Sequence, residues 1–255
     1  PRTVRGLFYN LVQQNIVPNT KNAYLSVQRA ALKARLDGAI PWGSIIDPSR
    51  DPFTPMVFEN FAEFIDNVPG WLHLDFWANT DLFPIVWVEK SAQVAPLQEV
   101  AEEWRIPLFY GRGYDSSSSK YRLSVLANKH AYTLILVFGD HDPAGMCIPN
   151  ALEEFLNEHA ERGQFEIQRL GLNMDQVTER RLPPQRVKDD EYALELGKSK
   201  GDPSAEAYKE EFGTECWELD ALSPAEIQGL LRAALAERVD QSTIESVKKL
   251  ETQMR

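Results

Sequence analysis

The stretch that decides the fold is TLILVFGDHDPAG, residues 133–145. Its first six residues form an apolar, partly β-branched run that is too short for a helix, so they predict a buried β-strand. Two aspartates follow at once, Asp140 and Asp142, and then a proline and a glycine that are typical of a tight turn. The stretch therefore predicts a strand that ends in a pair of carboxylates.

A second strand of the same kind precedes it, because residues 85–89 (IVWVE) place Glu89 directly after an apolar run. Around these two strands, further apolar runs alternate with helical patterns. The predicted helices cover residues 92–104, 120–129 and 151–161, and the other predicted strands cover 106–110 and 165–170. Strands that are continuously apolar and alternate with helices predict an α/β fold with a mostly parallel sheet covered on both faces.

The carboxyl ends of parallel strands meet at one edge of a sheet, where functional residues collect. We therefore expect Glu89, Asp140 and Asp142 to face one cavity. Clustered hard oxygen ligands suit Mg²⁺, with Mn²⁺ as a possible substitute, and such an ion stabilises charge during displacement at phosphate. A zinc hydrolase that uses His141 is an alternative, but no second His or Cys stands at a zinc spacing. His141 is expected to point away from the metal.

The first 50 residues predict two short helices and an extended segment. Apolar residues recur with helical spacing over 4–12, and residues 18–20 (PNT) break this helix and supply an N-cap for the next one. The second helix runs through residues 23–34, and an extended stretch begins at Ile40. This order is typical of a winged-helix DNA-binding module.

The charge distribution favours phosphate binding by that module. The net charge of the chain is −11, but residues 1–50 hold seven Arg or Lys against two Asp, a balance of +5. A basic module on an acidic body is what local binding to DNA requires. Candidate DNA contacts are Lys21, Arg29, Lys33 and Arg35, together with Arg112, which lies between two glycines.

The chain divides into a winged-helix module at 1–50, a connector at 51–84 that packs onto the next domain, an α/β domain at 85–181 and a helical C-terminal extension at 182–255. No run of 18 apolar residues is present, so no membrane span is expected. The two cysteines lack metal-ligand spacing and are expected to be free thiols in a reducing cytoplasm. The protein is expected to be cytoplasmic, and associated with the nucleoid if its source is bacterial, archaeal or phage.

Four motifs resemble those of a known family. They are Glu89-Lys90 after a strand, Gly-Arg-Gly-Tyr at 111–114, Gly-Asp-His-Asp-Pro-Ala-Gly at 139–145, and Val-Arg-Gly-Leu-Phe-Tyr at 4–9. Together they resemble topoisomerase VI A subunits and their meiotic double-strand-break relatives, in which a winged helix precedes a Toprim domain. Residues 169–172 and 218–222 are similar to the C-terminal region of that family, so the resemblance covers most of the chain.

The resemblance implies Mg²⁺-dependent breakage of double-stranded DNA. It makes Tyr9 the nucleophile that forms a 5′-phosphotyrosyl link, Arg5 a helper on the phosphate side, and Glu89, Asp140 and Asp142 the metal ligands. It also implies a homodimer in which the tyrosine of one subunit works with the metal site of the other. Strand passage would require a separate ATPase similar to the B subunit.

The helical periodicity gives an independent expectation for Tyr9. At 100° per residue, Tyr9 falls opposite the apolar stripe of its helix and on the same face as Arg5, so we expect it to be exposed beside a guanidinium. Two other functions stay open at this point. One is a Toprim nuclease in which metal-bound water attacks the DNA, and the other is a non-catalytic DNA-binding assembly subunit.

Overall fold

The computed structural model describes residues 3–45, 55–111, 117–161, 164–195 and 202–255. The chain folds as an α/β protein around a four-stranded, fully parallel sheet with the strand order β2-β1-β3-β4. The strands of this sheet are β1 (Leu82–Val88), β2 (Leu108–Tyr110), β3 (Tyr132–Phe138) and β4 (Gln164–Gly171). The prediction of a parallel α/β sheet is confirmed.

The two apolar runs identified in the sequence form the centre of the sheet. Six of the seven residues of β1 and of β3 are buried. The two strands pair in parallel along their whole length, with Val88 opposite Phe138 at the carboxyl end. Because neither face of these strands meets solvent, they lack the alternating pattern of a half-exposed strand.

Helices cover the sheet and form the two ends of the chain. They are α1 (Val4–Gln13), α2 (Lys21–Leu36), α3 (Phe61–Trp71), α4 (Val94–Trp104), α5 (Ser117–Ala127), α6 (Pro143–Met146), α7 (Ile148–His159), α8 (Met174–Arg180), α9 (Asp190–Glu195), α10 (Ala205–Phe212), α11 (Pro224–Arg238) and α12 (Gln241–Met254). The helices predicted around residues 4–12, 23–34, 92–104, 120–129 and 151–161 are all present. None of the helices that the structure describes combines the length and the apolar character needed to cross a bilayer.

The second helix begins at its predicted cap, and the first helix also begins after a threonine. The Thr3 hydroxyl caps α1 and the Thr20 hydroxyl caps α2, accepting from the amide of Ala23 at 3.2 Å. The predicted extended segment instead opens with a short 3-10 turn, Trp42–Ser44. Residues 46–50 of the predicted wing lie outside the described residues. The apolar side of α1 packs into the same core as the sheet.

Part of the connector packs onto the α/β domain as predicted, because Phe76, Trp77 and Phe83 are buried in the same core as the sheet, whereas α3 lies on the surface. None of its residues is buried, and Phe61 and Ile65 are exposed. Its aromatic rings instead contact one another, with Phe64 and Trp71 at a centroid distance of 5.6 Å. An aromatic-rich sequence predicts burial against the core, but the aromatic side chains of α3 pack against one another.

The C-terminal extension returns to the carboxyl edge of the sheet. Two short antiparallel strands, β5 (Gln185–Arg186) and β6 (Glu215–Cys216), pair with each other, and Trp217 makes both backbone hydrogen bonds of a bridge to His141 at 2.9 Å. A 3-10 turn at Leu219–Ala221 then packs against α1. This segment brings residues from the end of the chain to the acidic loop.

Candidate active site at the carboxyl edge of the sheet

Glu89 and Asp140 are neighbours, as predicted, because they follow the paired ends of β1 and β3. The backbone amide of Asp140 donates to Oε2 of Glu89 at 3.2 Å. A side chain at Gly139 would press on the same carboxylate, since its Cβ would lie 3.0 Å from Oε2 of Glu89. The glycine therefore lets the two strand ends approach closely.

Asp142 caps the short helix α6. Its Oδ1 accepts from the amide of Gly145 at 2.7 Å. Any side chain at Gly145 would overlap the backbone carbonyl of Asp140. The tight turn predicted from the Pro and Gly of this run is therefore what holds the two aspartates beside each other.

The carboxylates of Glu89, Asp140 and Asp142 are close enough for their charges to repel one another. Burial, followed by the charges of Asp140 and Asp142, raises the pKa of Glu89 to about 7. Burial and the charge of Asp140 also raise the pKa of Asp142. A divalent cation would relieve this repulsion, so the donor set fits a hard metal ion.

Lys90 and Glu218 complete the acidic cluster. The ammonium of Lys90 lies 2.5 Å from Oδ2 of Asp140 and forms a second ion pair with Glu218. The amide of Leu219 donates to Oδ1 of Asp140 at 2.7 Å. Both oxygens of Asp140 therefore have partners, one of them a cation.

Arg169 on β4 holds the backbone of the acidic loop. Its guanidinium donates to the carbonyl of Gly145 at 2.8 Å, of Gly139 at 3.0 Å and of Leu172 at 3.3 Å. Burial lowers the pKa of Arg169, while the neighbouring carboxylates raise it. A charged residue inside a predicted strand was the sequence signal that could have revealed this function.

Arg5 connects the N-terminal helix to the same cluster. Its guanidinium lies 2.7 Å from Oε1 of Glu218 and 3.2 Å from Oδ2 of Asp220. Its carbon Cζ is 5.8 Å from the ring centroid of Tyr9, so the two side chains share a face as predicted. The Gln93 amide donates to Asp220 on the other side at 2.5 Å.

The predicted exposure of Tyr9 is wrong, because only 5% of the residue is accessible. The segment after α8 folds over it, and the amide of Gln185 donates to its hydroxyl. Burial raises the pKa of Tyr9, whereas the charge of Arg5 lowers it. Helical periodicity predicts which face of α1 packs on the core. It cannot show that a segment distant in sequence covers the opposite, polar face.

Two cavities flank Arg5. One, of about 410 Å³, is lined by Arg5, Glu89, Lys90 and Asp220 among others. The other, of about 500 Å³, lies between α1, the start of α2 and the segment around Gln185, and includes Arg5 and Tyr9 in its wall. Arg5 therefore lines both cavities and lies between the tyrosine and the acidic cluster of the same chain.

The predicted DNA-binding cations occupy different environments. Lys21 lines the cavity beside Tyr9, and Arg29 is exposed on α2. Lys33 pairs with Asp37 on its own helix at 2.5 Å. The guanidinium of Arg35 donates at 2.7 Å to the carbonyls of Trp42 and Ile45, so it holds the turn that follows α2. Arg112, with the rest of the predicted 112–114 motif, lies outside the described residues.

His141 lies in an aromatic environment, as expected for a residue that points away from the carboxylates. Its Nδ1 is 2.8 Å from the hydroxyl of Tyr208, and its ring packs edge-on against Phe212 and Trp217. Burial and then the charge of Arg169 lower the pKa of His141 to about 4. Among the described residues, no three His, Cys, Asp or Glu side chains converge closely enough as they stand to hold a metal ion.

Comparison of the chain with protein-family models, curated proteins and solved structures gives no match.

Proposed function

We propose that this protein is a Mg²⁺-dependent DNA-cleaving enzyme similar to topoisomerase VI A subunits, in which Tyr9 is the nucleophile. The observation that carries the proposal is the chain of contacts from Tyr9 through Arg5 and Glu218 to Lys90 and Asp140. It joins a tyrosine, a phosphate-binding cation and a carboxylate cluster. The direct test is incubation with supercoiled plasmid and Mg²⁺ or Mn²⁺, with the products analysed before and after protease treatment.

The chemistry assigned to the chain is a transesterification. The Tyr9 oxygen attacks a backbone phosphorus and loses its proton to solvent, the bond to the 3′-oxygen breaks, and that oxygen leaves with a proton as a 3′-hydroxyl. Arg5 stabilises the phenolate and the phosphate charge through its guanidinium. A divalent cation held by Glu89, Asp140 and Asp142 would supply further stabilisation of the negative charge.

The DNA-binding part of the proposal rests on the N-terminal helices. We assign α1 and α2 to a winged-helix module and the sheet to a Toprim domain, with double-stranded DNA as the substrate. A homodimer and a separate ATPase resembling the B subunit are the partners that the family resemblance implies. The exposed cations of α2 support DNA binding on this face.

The same-chain contacts favour catalysis in cis. The family resemblance implies that Tyr9 of one subunit works with the metal site of another, but Arg5 contacts both Tyr9 and the acidic cluster of its own chain. We therefore expect an equimolar mixture of Tyr9→Phe and Glu89→Gln proteins, refolded together to exchange subunits, to form no DNA adduct. An adduct yield near one quarter of the wild-type value or more would show catalysis in trans.

Metal binding should depend on pH through Glu89. Because its pKa is raised to about 7, the carboxyl is mostly protonated at pH 6 and must lose a proton before it can bind a cation. We expect Mn²⁺ affinity, measured by calorimetry, to rise about fivefold from pH 6 to pH 7 and about tenfold from pH 6 to pH 8, and to level off above pH 8.

Three variants test this assignment of the ligands. Glu89→Gln should bind Mn²⁺ weakly and without the pH dependence, and Asp142→Ala should also bind weakly. Glu63→Gln, which changes an exposed carboxylate on α3, should match the wild type. Equal affinities of the wild type and Asp142→Ala would contradict the metal site.

A specific observation favours a second candidate, a Toprim nuclease that uses water. The Tyr9 phenol is buried, and this burial raises its pKa, which opposes formation of a phenolate. Such an enzyme would cut DNA in a Glu89-dependent way without a covalent adduct. If neither the wild type nor Tyr9→Phe cuts DNA with any divalent metal, the result would instead favour the non-catalytic assembly subunit.

A further inference from the structure

The cavity of about 500 Å³ beside Tyr9 is lined by positive charge, whereas the protein as a whole is acidic. Four cations line it, Arg5, Lys21, Arg186 and Lys188, and none of the described residues in its wall is acidic. The chain as a whole has 38 acidic and 27 basic side chains. A cavity of this composition attracts anions, even though the protein as a whole is acidic.

Of these four cations, two are paired with acidic side chains and two are not. Arg5 is balanced by Glu218 and Asp220, and Arg186 by Glu191 and Glu195. Lys21 and Lys188 form no ion pair with a described side chain and are exposed, and the charge of Lys188 also partly offsets the raised pKa of Asp142.

The start of α2 adds backbone donors to the same wall. The helix is 16 residues long, and its first turn contains no acidic side chain that would neutralise its positive end. Asn19, Thr20 and Lys21, which lead into the helix, all line the cavity. Amides at a helix N-terminus next to lysines are a recurrent phosphate-binding arrangement.

The size and the aromatic wall indicate more than a bare phosphate. A volume of about 500 Å³ falls within the range of sites for small organic ligands. Phe8 and Tyr24 line the cavity, with their rings edge-on at a centroid distance of 5.4 Å, and so do the side-chain amides of Asn19 and Gln185, which donate to the carbonyl of Pro184 and the hydroxyl of Tyr9. Aromatic rings and amides of this kind bind nucleobases by stacking and by edge contacts.

We propose that this cavity binds one nucleotide unit, with its phosphate between Lys21 and Lys188 and its base against Tyr24. The unit is either a free mononucleotide or the phosphorylated end of a DNA strand. The inference deepens the proposed function, because it would place a strand end beside Tyr9, but nucleotide binding requires neither metal nor cleavage.

The test is calorimetry on the full chain with thymidine 5′-monophosphate and with a thymidine trinucleotide that carries either a 5′-phosphate or a 5′-hydroxyl. We expect saturable binding of at least one phosphorylated ligand, and the double variant Lys21→Glu/Lys188→Glu should weaken it more than about tenfold through the loss of two charge-assisted contacts. Both lysines are exposed, so the fold should be unaffected. Lys249→Glu, a charge reversal at an exposed position of α12 outside the cavity, should change the affinity less than twofold.

The ligands separate the two sources of the nucleotide. Binding of the 5′-phosphorylated trinucleotide alone identifies a strand end, and equal binding of the monophosphate identifies a free nucleotide. Unchanged affinity in the double variant, or no binding of either phosphorylated ligand, overturns the proposal. The proposed function fails by a different result, which is the absence of any Tyr9-dependent adduct with plasmid DNA whatever the nucleotide affinity.

Discussion

Tyr9→Phe is expected to abolish the covalent protein–DNA adduct, with a loss of at least about 10³-fold, since removal of a nucleophile leaves only the binding and electrostatic contributions to the rate. The change removes one hydroxyl and its hydrogen bond to Gln185, so the free energy of unfolding should fall by only about 1 kcal/mol. Metal binding should be unchanged, because no predicted ligand is altered. The measurement is the retention of labelled DNA on protein under denaturing conditions.

Tyr24→Phe is the matched control, since Tyr24 lines the same cavity and packs edge-on against Phe8. It should retain most of the adduct. If Tyr9→Phe still cuts DNA, if this cutting requires Glu89, and if the wild type forms no adduct, then water is the nucleophile. Full adduct formation by Tyr9→Phe would remove Tyr9 from the mechanism altogether.

The second large effect is expected on stability. Arg169→Met should lower the free energy of unfolding by about 3–5 kcal/mol, the range for removing one partner of a buried charged network. The variant removes the guanidinium that donates to the carbonyls of Gly139, Gly145 and Leu172, and it takes a positive charge away from the acidic loop. Urea denaturation measures the change.

Arg238→Met is the control for this prediction. Arg238 forms a two-contact ion pair with Glu166 near the surface, at 2.6 and 2.8 Å, and such pairs contribute about 1 kcal/mol or less. A loss in Arg169→Met no larger than that in Arg238→Met would show that the loop does not depend on the guanidinium. Metal affinity of the folded Arg169→Met protein should also fall, because the two aspartates lose their fixed backbone.

The sequence alone predicted the central strands of the sheet and the proximity of two candidate site residues, Glu89 and Asp140. Strands β1 and β3 are readable because their residues are apolar on both faces, and helices α1 and α2 because their caps and periodicity are local. Since parallel strands end at a common edge, the juxtaposition of Glu89 and Asp140 followed from the order of elements. Within the aromatic connector, Phe76 and Trp77 reach the core as predicted but α3 does not, because a local pattern indicates a preference for burial and not which surface provides it.

Only the tertiary structure decided which distant residues join the carboxylates. Glu218 and Asp220 reach the site through a bridge between Trp217 and His141, and Gln185 reaches Tyr9 from across the chain. Such contacts depend on how the elements pack in three dimensions, and the spacing of residues along one helix or strand carries no record of them. For that reason periodicity placed Tyr9 and Arg5 on one face correctly, and the packing of a later segment decided that this face is buried.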